Sequence, residues 1–129
     1  MKKILLIMLS IMFAVLSCKS AANPLDSKRT GKFVSEKTVS ADSYLVVEVT
    51  SDGGFKLYYS SDTTGKPITD RTGNTVTGDD MRGEDPNYNF QTGVMGGTLQ
   101  FISDTVIKVT VNFNDGSAAF KDVLCYKKN

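Results

Sequence analysis

Residues 105–113, Thr105-Val106-Ile107-Lys108-Val109-Thr110-Val111-Asn112-Phe113, alternate apolar and polar side chains. With a period of two, Ile107, Val109, Val111 and Phe113 share one face and Lys108, Thr110 and Asn112 the other, as in a half-buried strand. Turn residues bracket the run. Ser103-Asp104 precedes it and Asn114-Asp115-Gly116 follows it, and such short polar side chains and glycine favour chain reversal. Segments 97–102 and 118–127 are therefore expected to pair with it as a three-strand meander. The last segment alternates imperfectly, because Phe120, Leu124 and Tyr126 fall in phase with Asp122. A β-bulge near Lys121-Asp122 would restore the phase.

The same alternation recurs upstream. In residues 44–49 (YLVVEV), Leu45, Val47 and Val49 oppose Tyr44, Val46 and Glu48. After the turn at 51–54, Phe55, Leu57 and Tyr59 alternate with Lys56 and Tyr58, which completes a hairpin. Residues 60–93 are polar and carry Gly65, Gly73, Gly78, Gly83 and Gly93. So long a stretch without structure is unusual in a compact domain, so short strands are expected at 67–70, 75–77 and 88–92. Sustained helical periodicity is absent from residue 31 onward. Seven or eight short antiparallel strands over residues 31–129 point to an all-β domain, either a small barrel or a β-sandwich.

The N-terminus reads as an address. Met1-Lys2-Lys3 is followed by thirteen residues, 4–16, of which only Ser10 is polar. That fits the apolar region of a secretory signal and is shorter than the roughly 20 residues of a membrane span. Val15-Leu16-Ser17-Cys18 resembles the lipobox of bacterial lipoproteins, with Leu16 bulkier than the usual residue at its position. The resemblance implies a signal peptide at 1–17 and a diacylglycerol on Cys18, which becomes the mature N-terminus. Lys19 after the cysteine, in place of the Asp linked to inner-membrane retention, implies the outer membrane. Residues 18–30 then read as the lipidated cysteine and a flexible tether, and 31–129 as a single domain. Two cues favour a barrel: Gly31-Lys32-Phe33 is similar to the Gly-x-Trp of lipocalin-like barrels, and Tyr126-Lys127-Lys128 places a basic residue where that family packs one over its Trp.

The 129 residues contain no His, no Trp and two Cys. Without His, Ser-His-Asp and Cys-His catalysis and His-based metal sites are excluded. Once residues 1–17 are removed, 13 basic residues stand against 14 acidic ones, net −1, with no basic block for nucleic acid. Asp79, Asp80, Glu84 and Asp85 are the one candidate Ca²⁺ cluster. Their spacing is not that of an EF-hand and Arg82 sits among them, so a solvated acidic loop is the plainer reading. Nor do they suit a glycosidase, whose carboxylates need fixed separation in a rigid cleft. Cys125 reads as a plain buried thiol.

Tyr44, Tyr58, Tyr88 and Phe90 are the candidates for an exposed recognition patch, which requires Tyr44 or Tyr58 to lie beside Tyr88. Phe33, Val47, Phe55, Leu57, Ile107, Val109, Val111 and Phe120 suffice to fill a small barrel. The expected function is therefore that of a monomeric, membrane-anchored, non-catalytic module binding a protein or envelope component. The alternative is a barrel carrying a small apolar ligand. No cofactor is expected beyond the lipid on Cys18.

Overall fold

In the computed structural model, which describes Leu25 and residues 27–40, 42–68, 73–116 and 119–129, the alternating segments are strands. These are β1 (Gly31–Ser40), β2 (Ser43–Val49), β3 (Phe55–Ser60), β4 (Asn74–Val76), β5 (Met81–Glu84), β6 (Asn87–Gln91), β7 (Met95–Phe101), β8 (Val106–Phe113) and β9 (Phe120–Lys128). They form one antiparallel sheet in the order β4-β3-β2-β1-β9-β8-β7-β6-β5, curled into a nearly closed barrel. The first and last strands meet from Lys32 opposite Lys128 to Ser35 opposite Cys125. The barrel, not the sandwich, is the fold, and it has nine strands where seven or eight were expected. The leader, Cys18 and tether residues 19–24 lie outside the described residues, as do residues 69 and 70 of the expected 67–70 strand. Of that strand, Pro67 makes an isolated bridge to Ser60.

The meander at the C-terminal end pairs as its periodicity dictates, with Leu99 opposite Val109 and Ile107 opposite Cys125. β9 slips register between its partners Val109 and Val111, and Asp122 there has φ 52°. This is the expected bulge. It turns Val123 and Cys125 inward in line with Phe120, and the Asp122 N–H finds Thr110 Oγ1 at 3.0 Å. β1 is irregular too, between Val34 and Thr38. The buried Ser35 hydroxyl satisfies that bend, accepting from the Leu45 N–H at 2.9 Å and donating to Lys37 O at 2.7 Å.

One seam of the barrel has no backbone ladder among the described residues, and core packing of Phe55 on Phe90 crosses it. β4 and β5 are the sheet's edges, and residues 77–80 join them. The Asp80 carboxylate accepts from both the Thr77 N–H and the Thr77 hydroxyl at 3.0 Å, which fixes the turn. Edge strands of three and four residues offer little unpaired backbone.

The packed domain begins before residue 31. Leu25 is buried and its N–H donates to Gly53 O at 2.8 Å. A single 3-10 turn, Ser27–Arg29, then leads into β1. Arg29 pairs with Asp85 in the β5–β6 turn and Asp104 in the β7–β8 turn, each at 2.8 Å, and its guanidinium lies 4.7 Å from the Phe101 ring centroid. Leu25 and residues 27–30 are thus a strap docked on one end of the barrel, within the segment 18–30 expected to be a flexible tether.

Inside, aromatic rings meet edge to face at three levels. Phe101 packs on Phe33 and Tyr88 beneath the strap, Phe55 on Phe90 with centroids 5.1 Å apart, and Phe120 on Tyr59 and Phe113. Leu45, Val47, Val49, Leu57, Leu99, Ile107, Val109 and Val111 fill the space between. Each such side chain contributes about 1.5–3 kcal/mol by leaving water. All eight residues expected to fill the interior belong to this core.

Candidate interaction surface

Inward side chains form one packed core, and concavities indent the outer wall. Three concavities of about 280, 380 and 360 Å³ open there at the surface. The first lies where β1 and β9 part beyond Ser35, between residues 36–39 and 121–124. The second is lined by Asp79, Arg82, Asn89, Gln91, Phe90 and Gly97 beside the β4–β5 seam. The third is lined by Glu48, Lys56, Tyr58, Pro67 and Asn74.

The outer wall divides into two chemically distinct faces. Across β5–β8 the outward rows run Arg82–Asn89–Thr98–Thr110 and Glu84–Asn87–Gln100–Lys108 by direct register. Amides and hydroxyls dominate these rows, so this face offers neutral donors and acceptors. On the other half, register aligns an apolar row over five strands: Tyr58, Val46, Val34, Tyr126 and Val106. Segment 61–68 folds back over its first three members. Gly65 sits against Val34 and Lys32, and Tyr58 Oη approaches Gly65 O at 3.4 Å while donating to Glu48 Oε2 at 3.0 Å. Burial, and then that bond to a carboxylate, push the Tyr58 phenol well above its ordinary pKa. Tyr126 and Val106 extend the row beyond the cover.

The structure separates the four aromatic candidates. Tyr44 and Tyr58 lie on the outer wall with Val34 and Val46, whereas Tyr88 and Phe90 are buried in the barrel. The expected patch of all four does not form, because strand alternation sends Tyr88 and Phe90 to the face opposite Asn89. The acidic candidates are dispersed as well. Asp80 is turned back to Thr77, and Asp85 is held by Arg29, whose hydrogen bond keeps its carboxyl below the usual carboxylate range. Asp79 and Glu84 are exposed, and the Arg82 guanidinium donates to Asp79 O at 2.7 Å. Among the described residues, no three potential ligands converge on a metal position. Cys125 is fully buried, and burial pushes its thiol up to about 12.

At the strap end, Lys127 stands opposite Phe33 and its chain lies across Gly31, where a Cβ would meet Lys127 Cε at 2.5 Å. The cation stacked on an aromatic ring there is Arg29, from a segment the sequence marks only as polar. The outer apolar row was equally hidden, since its members come from five strands and only the register aligns them. No known protein family, curated protein or solved structure matches the chain.

Proposed function

We propose that this protein is a non-catalytic interaction module of a bacterial cell envelope, held by a lipid on Cys18 at the outer membrane. The observation that carries the reading is the filled barrel. Apolar side chains from strands all around the sheet pack into one core within it, while the outer wall presents a face rich in amides and hydroxyls on β5–β8 beside the 380 Å³ concavity. Asn89, Gln91 and Thr98 supply hydrogen-bonding groups that lose little on desolvation compared with charges. The leader and Val15-Leu16-Ser17-Cys18 support export and acylation.

Native mass spectrometry of the detergent-extracted protein tests the reading. The expected mass carries diacylglycerol on Cys18 and no co-purifying apolar molecule. A stoichiometric apolar ligand would overturn the interaction reading in favour of a carrier. Photo-crosslinkers at Asn89 and Thr98 then locate the contact: one defined adduct, absent from a crosslinker at Lys37, is expected. Equal yield from all three positions would remove β5–β8 as the binding face.

A further inference from the structure

Two of the three large apolar side chains exposed among the described residues lie together at the strap end of the barrel. Ile102 (54% exposed) opens the β7–β8 turn, and Tyr126 (37%) lies on the outer wall of β9; Val94 (55%) is at the opposite end. The Ile102 N–H donates to Val106 O at 2.9 Å, and Val106 is the register partner of Tyr126. The three therefore form one corner, the open end of the outer apolar row. Lys32 and Lys128, opposite one another at the adjoining rim, flank it. The nearby carboxylates Asp85 and Asp104 are already engaged by Arg29.

An aliphatic tip beside a tyrosine and snorkelling lysines is the composition that a bilayer interface accommodates: the tip enters the acyl boundary, and the phenol and ammonium groups stay among headgroups. The chain itself leads to this end. Leu25 is docked there, and only six residues, 19–24, separate it from Cys18. Fully extended, the connection reaches about 25 Å, roughly the length of a seven-residue strand. That is enough to set this corner on the membrane and too little to invert the barrel.

We propose that the Ile102–Val106–Tyr126 corner is a lipid-contacting surface that seats the domain on its membrane, with Lys32 and Lys128 meeting lipid phosphates. This rests on the acyl anchor at Cys18 proposed above. It fixes the orientation of the barrel, turning the Val94 end outward.

The test uses the full acylated protein, reconstituted in phosphatidylethanolamine–phosphatidylglycerol vesicles. Ile102→Cys, Ser103→Cys or Val94→Cys carries an environment-sensitive fluorophore. With Cys18 acylated and Cys125 buried, the introduced thiol takes the label. A quencher on the lipid chains is expected to quench labels at 102 and 103 several-fold more than the label at 94. Adding Ile102→Asp to Ser103→Cys should abolish most of that difference. Equal quenching at both ends, with lipid verified on Cys18 by intact mass, overturns the contact surface and leaves the anchor standing. A mass without lipid on Cys18 overturns the anchor itself, and the orientation with it.

Discussion

Arg29 and Asp85 meet through two parallel hydrogen bonds, Nε to Oδ2 at 3.0 Å and Nη2 to Oδ1 at 2.8 Å, across 56 positions of sequence. Bidentate geometry of this kind is the strong form of an ion pair. It also sets the guanidinium plane over Phe101, so one side chain ties the strap to two turns and an aromatic ring.

Arg29→Ala is therefore expected to lower the unfolding free energy by about 1–2 kcal/mol, the combined range of a well-formed partly exposed pair and a cation–π contact. Arg29→Lys should recover less than half, because an ammonium lacks the planar fork. Urea unfolding measures both, and an unchanged midpoint for Arg29→Ala would show that the strap is not held by this residue.

The pair also predicts a pH dependence. The hydrogen bond from Arg29 lowers the Asp85 pKa on folding. Its stabilisation is thus complete above the unfolded carboxylate value near ~4 and is lost as pH falls through the lower native value. Asp85→Asn should be less stable than the parent at neutral pH and lose less stability between pH 4 and that lower value. Parallel acid limbs for the two proteins would contradict this.

Cys125 carries the opposite linkage. Its thiol rises from 9.0 to about 12 on burial, so the unfolded chain releases this proton first. Stability should fall as pH climbs from 9 towards 12, and Cys125→Ala should remove the part of that fall that begins at 9, leaving the part above 10 that the raised Tyr58 phenol contributes, at a cost of about 1 kcal/mol. Thiol labelling of the native Cys18→Ser protein at pH 8 should proceed only as fast as the domain opens. Immediate stoichiometric labelling would place Cys125 at the surface.

Gly97 is where two strands approach too closely for a side chain. A Cβ there would lie 1.8 Å from Thr110 O and 3.0 Å from Phe90 Cζ. Gly97→Ala is expected to cost about 3 kcal/mol or more, at the upper end of overpacking effects. Gly93→Ala, with nothing within 4 Å, should be nearly neutral. Thermal unfolding compares them directly, and equal melting temperatures would refute the close contact.

Those sites differ in how far the sequence reveals them. The C-terminal meander was legible because Ile107, Val109 and Val111 alternate without interruption, and the Asp122 bulge was legible because its neighbours fall out of phase. β5 was not. Met81-Arg82-Gly83-Glu84 offers one apolar residue and two charges, and its strand conformation comes from pairing with β6 at Phe90 and Asn87. Leu25 and Arg29 sit in a polar stretch whose partners, Gly53, Asp85 and Asp104, lie 28 to 75 residues away. Of the candidate surface, Tyr44 and Tyr58 were legible as outward-facing. The continuous row from Tyr58 to Val106 was not, since it depends on the alignment of five strands.

Of the eight ladders among the described residues, seven join strands adjacent in sequence, and only β1 with β9 joins distant ones. The hairpins zip with short loops, on the timescale of microseconds. The β1–β9 ladder must instead bring together residues 90 to 96 positions apart, and such non-local closure slows folding. Four residue pairs, from Lys32–Lys128 to Ser35–Cys125, therefore act as the clasp of the molecule, joining the two ends of the domain only once the chain between them has been brought round.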